Sequence, residues 1–231
     1  MISPRNGQKI LLDGDEILSR IIELGMKIYD YHDLKYDANG KTIVFSHGAT
    51  IFEANQKLLD VIEKKKKTFL GRMYLKRYVK GNVQLGCACV AEMLGQGFTI
   101  ETWEESGYTE KDNYVLMEKK IPFSDEELEK ISDKAAEYLD EFIPYEYTNF
   151  ISYAGKIVTG AIFDLFNKSH TNKNGVSIWL PGERVQYCTE NLARLDNASG
   201  RNDFPDPEQT SPMDVFDNAS LKISDNSPMK I

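Results

Sequence analysis

Cysteine is scarce in this chain. Three are present, Cys87, Cys89 and Cys188, an odd and small number that does not make the disulfide framework of a small secreted protein. Cys87 and Cys89 are spaced C-x-C with no second pair to complete a tetrahedral set, so neither a structural metal nor another cofactor is expected. Long apolar runs are missing too. No stretch approaches the roughly 18 residues that mark a membrane-spanning helix. The opening Met1-Ile2-Ser3-Pro4-Arg5-Asn6-Gly7 lacks the apolar region of a signal peptide. The expected setting is cytoplasmic, or associated with a virion or phage.

Positive charge is also in short supply. Lys and Arg number 28 against 36 Asp and Glu, a formal net charge of −8 at pH 7. A duplex-binding protein presents a basic face, and the one basic run here, Lys64 to Lys67, closes an expected helix, where cations suit the dipole. No nucleic-acid partner is expected. Residues 69–80 alternate aromatics (Phe69, Tyr74, Tyr78) with Arg72, Lys76, Arg77 and Lys80. That composition fits a nucleic-acid or anionic-lipid surface, but is read first as a partly buried amphipathic element with snorkelling lysines.

What is present is enough for a core. Of 231 residues, 41% are hydrophobic, which argues for one large domain, or a domain with an added segment, and against global disorder. Residues 1–38 read as an N-terminal added segment, with a helix carrying Ile17, Ile21, Leu24 and Ile28 on one face. The main domain is expected over 39–224, and 225–231 as a tail. Within it, residues 41–48 predict a strand stopped by glycine, and residues 51–67 a helix. Residues 84–94 and 98–103 predict a strand pair joined at Gly95-Gln96-Gly97. Another strand follows at 113–118. Ser124 and Glu127 form a capping box that opens a helix bearing Leu128, Ile131, Ala135, Tyr138 and Leu139. Pro144 ends it. The residues Ser211 to Phe216 predict a short ordered turn, and His170 falls in a polar loop.

The chemically suggestive stretch runs from Val185 to Leu195. A β-prone run ends at Tyr187, and helix-friendly residues begin at Cys188, with Leu192 and Leu195 at helical spacing. A thiol at a helix N-terminus meets unpaired N–H groups and the positive end of the dipole, which favour the nucleophilic thiolate. A small buried residue is the other reading of a free cysteine.

The order of parts carries a resemblance. A Gly-x-x-Ile-Val-Phe strand (Gly40 to Phe45) is followed by a helix and a hairpin ending in Ile100-Glu101. Then come a strand, a Ser-x-x-Glu helix, the segment Pro144-Tyr145-Glu146-Tyr147, Cys188-Thr189-Glu190, and a late Ser211-Pro212-Met213-Asp214. This resembles the circularly permuted papain-like hydrolases of the NlpC-type superfamily, the YiiX-like group, over about Gly40 to Ile223. The resemblance implies an α+β fold, an antiparallel sheet or small barrel packed by helices, with the nucleophilic cysteine at a helix N-terminus. It places the nucleophile at Cys188 and the orienting carboxylate at Glu101, with Tyr145 and Tyr147 in the aromatic segment that lines the site.

The chain departs from the family at the base. The family's histidine lies twelve residues before its glutamate, and that position holds Cys89, a thiol that cannot serve as a general base near neutral pH. Three explanations stand: a degenerate relative, a histidine from elsewhere, or a different alignment of the hairpin. His47, in Phe45-Ser46-His47-Gly48, is the favoured substitute, with His32 as rival. The resemblance then implies a cysteine-dependent amidase, peptidase or acyl hydrolase working by thiol acyl transfer on peptide, amide or acyl substrates, such as cell-wall peptides or lipid-linked acyl groups. The alternative is a catalytically degenerate papain-like binding or structural protein, of phage or viral origin.

Overall fold

The computed structural model of the chain describes residues 3–12, 35–36, 42–43, 45–111, 113–144, 188–210, 212–229 and 231. Among these, the strands are β1 (Lys9–Leu12), β2 (Lys35–Tyr36), β3 (Thr42–Ile43), β4 (His47–Glu53), β5 (Val79–Lys80), β6 (Ala88–Leu94), β7 (Gly97–Thr102), β8 (Tyr114–Lys119) and β9 (Leu221–Ile223). The helices are α1 (Gln56–Lys66), α2 (Phe69–Tyr78), α3 (Asp125–Glu141), α4 (Cys188–Ala198) and the short α5 (Pro212–Phe216). The fold is α+β. Seven strands form an open sheet in the order β5–β7–β6–β4–β1–β8–β9, antiparallel except where β5 runs parallel to β7. The expected alternatives were an antiparallel sheet or a small barrel; the described strands make an open sheet with one parallel edge. No helix among the described residues is long and apolar enough to cross a membrane.

The sheet's two faces differ because strand side chains alternate. One face carries Phe52, Cys89, Ala91, Met93, Phe98 and Ile100 into the main core, which is closed by α1, α2, α3 and α4. The other carries Ile10, Ala49, Ile51, Val90, Tyr114 and Leu116 against Trp103 and Tyr108. Helix α3 forms where the capping box predicts it. The Ser124 hydroxyl accepts from the Glu127 N–H at 3.3 Å, and the Glu127 carboxylate accepts from the Ser124 N–H at 2.7 Å. Arg201 then clamps Glu127 at 2.6 Å, and that bond, with the Ser124 N–H, holds the carboxyl down to about 2.

Three expectations shift. The segment 1–38 does not stand outside the domain as a whole, because Lys9–Leu12 is an interior strand paired with both β4 and β8. The tail also joins the sheet: Ser227 Oγ accepts from the Leu116 N–H at 3.1 Å, and Asn226 Nδ2 donates to the Ser3 carbonyl at 2.7 Å. The strand expected over 41–48 and the helix expected from Ile51 are displaced, since β4 continues to Glu53 and α1 begins only after Asn55. The Asn55 side chain accepts the Leu58 N–H at 3.1 Å, and that cap decides where the helix starts. The expected helix around Ile17 to Ile28, and His32, Gly40, Tyr145, Tyr147, His170, Tyr187 and Ser211, lie outside the described residues.

Charge is buried under α4. Lys9 and Asp196 are both fully buried and lie 3.0 Å apart, and Lys119 reaches the second Asp196 oxygen at 2.7 Å. Lys119 also meets Asp203 at 2.7 Å, so two lysines face two carboxylates. Burial is the strongest influence on Lys9 and drives its ammonium below the usual lysine range, while Asp196 pulls it back up. Removing one partner from such a cluster strands the rest. Asp196→Ala is expected to lower unfolding free energy by about 3–5 kcal/mol, more than Lys9→Met, which leaves Asp196 with Lys119. Urea midpoints of the two variants check the order.

Candidate active site

Cys188 opens α4, as its sequence neighbourhood predicts. The helix packs on β4, β6 and α3, and what lets it come so close to β4 is Gly48. A Cβ at that position would stand 2.9 Å from the Thr189 methyl and 3.2 Å from Leu192 Cδ1. With no side chain there, the N-terminus of α4 settles on the start of β4, next to His47. Cys188 is buried, its sulfur 4.0 Å from the Ser46 carbonyl oxygen.

His47 has two partners. Its Nε2 lies 2.9 Å from Glu92 Oε2, and the ring lies beside the Cys188 thiol, close enough for each to shift the other's ionisation. The sheet explains the first contact. Ala49 pairs with Glu92 and Glu92 with Thr99, so His47, two residues from Ala49 on the same face, is a diagonal neighbour of Glu92. Glu92 is held in turn by the Tyr108 hydroxyl, which donates to the same Oε2 at 3.1 Å. The His47 side chain keeps 18% of its surface, beside a thiol that is almost covered.

The electrostatics favour a charged pair. Burial opposes charge on His47, but its bonds to Cys188 and Glu92 and their negative charges outweigh it and raise the imidazole to about 10. Burial likewise opposes the Cys188 thiolate. The bond to His47, its positive charge and main-chain bonds to Gly48 and Thr189 outweigh that and lower the thiol below its ordinary value. Glu92 follows the same logic: burial pushes it up, and His47, Tyr108 and Lys111 pull it below the usual glutamate range. Burial beside this carboxylate keeps Tyr108 protonated well past its ordinary value. The shifts favour a thiolate beside an imidazolium, with a carboxylate behind the imidazolium and a phenol behind the carboxylate.

Of the residues expected from sequence, the structure brings Cys188 and His47 together. Glu101 stands one strand beyond Glu92 on the same face, away from His47: it pairs with Val90 across β6 and takes the Lys80 ammonium at 2.5 Å, from the parallel edge strand. Burial and the neighbouring Glu92 hold its carboxyl above the usual range against the pull of Lys80. The carboxylate on His47 is Glu92. Cys89 points to the opposite face from Glu92 and is buried in the main core, its sulfur 3.6 Å from that of Cys87. Burial raises its thiol far above the ordinary range, so it offers neither base nor nucleophile. Tyr145, Tyr147 and His32 are outside the described residues.

Glu92, Tyr108 and Gly48 were not singled out from sequence. Glu92 did leave a trace, as the one charge in the strand Cys89-Val90-Ala91-Glu92-Met93-Leu94. A carboxylate in an otherwise apolar strand must be paired if it is buried. No protein-family model and no curated protein matches this sequence.

Two substitutions separate the roles. Glu92→Gln removes the charge that supports the imidazolium and is expected to slow Cys188 alkylation at pH 6 by about tenfold or more, whereas Glu101→Gln leaves it within about twofold. Iodoacetamide labelling with peptide mass analysis reads both. Gly48→Val forces α4 off β4 and is expected to abolish the fast labelling while far-ultraviolet circular dichroism still shows the sheet and helices.

Proposed function

We propose that this protein is a cysteine hydrolase that works by thiol acyl transfer, with Cys188 as nucleophile, His47 as general base and acid, and Glu92 as the residue that orients His47. One observation carries the proposal: Cys188, at the first residue of a helix, lies beside His47, whose Nε2 is 2.9 Å from the buried Glu92 carboxylate. A structural cysteine needs neither a lowered thiol nor a raised imidazole beside it.

The chemistry follows from the geometry. The Cys188 thiolate attacks the carbonyl carbon of an amide, ester or thioester. A C–S bond forms and the carbonyl π pair moves onto oxygen. The N–H groups at the start of α4 provide hydrogen-bond donors and the positive end of a dipole for that developing charge. When the intermediate collapses, the leaving amine or alcohol takes the proton held by His47. Neutral His47 then draws a proton from water, and the resulting attack on the thioester releases the acid and restores the thiol pair. Glu92 keeps Nε2 protonated and stabilises the imidazolium, as the third member of a triad does. The substrates proposed are peptides, small amides and lipid-linked acyl groups.

The finer fold assignment, a permuted papain-like domain, belongs to the same proposal. Its support is the chain order: the helix bearing the cysteine comes after the strands bearing the histidine and the carboxylate. The binding-only alternative rests on Cys89 at the position where the family has its base. His47 on β4 takes away that support, and the charged pair gives the hydrolase reading the advantage.

The pH dependence is specific. Cys188 ionises below its ordinary value and His47 loses its proton near 10. Alkylation of Cys188 is therefore expected to stay fast well below pH 8.5, the ordinary thiol value. Hydrolysis of an amide is expected to fall away as pH rises towards 10, where the proton for the leaving amine is lost. In His47→Ala, burial acts alone and the alkylation midpoint moves upward. A wild-type midpoint near 8.5, unchanged by His47→Ala, contradicts the proposal.

A further inference from the structure

Helix α2 exposes three of its large apolar residues. Phe69 is 67% exposed, Leu70 76% and Met73 57%, while the buried side of the same helix is formed by Leu75 and Tyr78. At 100° per residue, Phe69, Met73 and Lys76 fall on the outward pole. Leu70 and Arg77 lie on one flank and Arg72 on the other. The apolar residues therefore stand outward on a convex surface, ringed by cations.

The charge around them runs against the whole molecule. From Lys64 to Ala91 the chain has eight basic residues and no acidic one, in a protein of net charge −8. Some of these cations have carboxylates: Lys64 and Lys65 meet Asp140, Lys66 meets Glu63, and Lys80 meets Glu101. Arg72 bonds the Lys66 carbonyl and meets no carboxylate among the described residues. Lys67, Lys76 and Arg77 are exposed in the same stretch. Among the described residues, four cations with no carboxylate partner thus surround three projecting apolar side chains.

We propose that α2 docks this protein onto an anionic phospholipid surface, with Phe69, Leu70 and Met73 entering the acyl boundary and Lys67, Arg72, Lys76 and Arg77 meeting lipid phosphates. Three features select a bilayer. The apolar residues project from a convex helix, which suits a soft continuous phase. The cations flank them on both sides, as an anionic headgroup plane requires. A nucleic-acid backbone would match the cations and leave Phe69, Leu70 and Met73 exposed. The residues involved are separate from Cys188, His47 and Glu92, so the proposal stands or falls independently of the hydrolase reading.

The test is cosedimentation of the full chain with large vesicles of phosphatidylcholine, with and without phosphatidylserine. Binding is expected only where phosphatidylserine is present, weakened by added salt. The Lys76→Glu/Arg77→Glu variant and the Phe69→Ser/Leu70→Ser/Met73→Ser variant are each expected to lose about tenfold or more in partitioning. Both variants should melt like the parent and keep its rate of Cys188 alkylation, which separates a docking defect from misfolding and from a failed active site. The proposal is overturned by an absence of phosphatidylserine-dependent binding, or by binding that both variants retain. It is also overturned if sedimentation shows a dimer that the serine variant abolishes, because the face would then belong to a second copy of the chain.

Discussion

Asp196, near the end of α4, takes a buried lysine on each carboxylate oxygen: Lys9 from β1 and Lys119 from β8. At the other end of the helix, Gly48 lets Thr189 and Leu192 lie against β4. These two constraints fix α4 on the sheet. One is a demand for charge compensation where water is excluded, and the other is a demand for space. Everything proposed for Cys188 depends on both, because the thiol meets His47 only if the helix neither slides along the strands nor lifts from them. The interior position of β1 follows from the same cluster, since Lys9 must reach Asp196 from a strand beside β4.

The site itself is built on compensated charge. Each member is buried enough that ionisation alone would be costly, and each is given a partner that makes ionisation favourable. Tyr108 supports Glu92, Glu92 supports His47, and His47 supports Cys188. The rigid parts lie in the sheet, where register sets Glu92 beside His47. The helix contributes the Cys188 thiol and its N–H groups. A constellation on paired strands and a helix terminus is held more firmly than one built on loops.

Much of this architecture is legible in the amino-acid sequence, up to an identifiable place. Cys188 at a helix start, the capping box at Ser124 and Glu127, and the strands around residues 90, 100 and 116 were legible from local chemistry and periodicity. The carboxylate was not. The resemblance led to a histidine and a glutamate on one tight hairpin, which pointed to Glu101 and made position 89 look vacant. In the structure the pairing strands are β4 and β6, and α1 and α2 lie between them in the chain. His47 and Glu92 are 45 residues apart, a separation that no hairpin count detects. Strand β1 was missed for a different reason: four residues led by a lysine carry no strand signature until Asp196 is known to neutralise that lysine.

The central claim is that Cys188 accepts an acyl group, and the most direct measurement is to catch it doing so. The chain would be mixed with p-nitrophenyl acetate at neutral pH, quenched in acid at intervals, and analysed by intact and peptide mass. A single acetyl adduct on Cys188 that forms quickly and disappears on standing, with its formation strongly slowed in His47→Ala and in Glu92→Gln, is the predicted result. Acetylation spread over surface lysines with Cys188 unmodified, or an adduct at Cys188 that forms at the same rate without His47, would contradict the account.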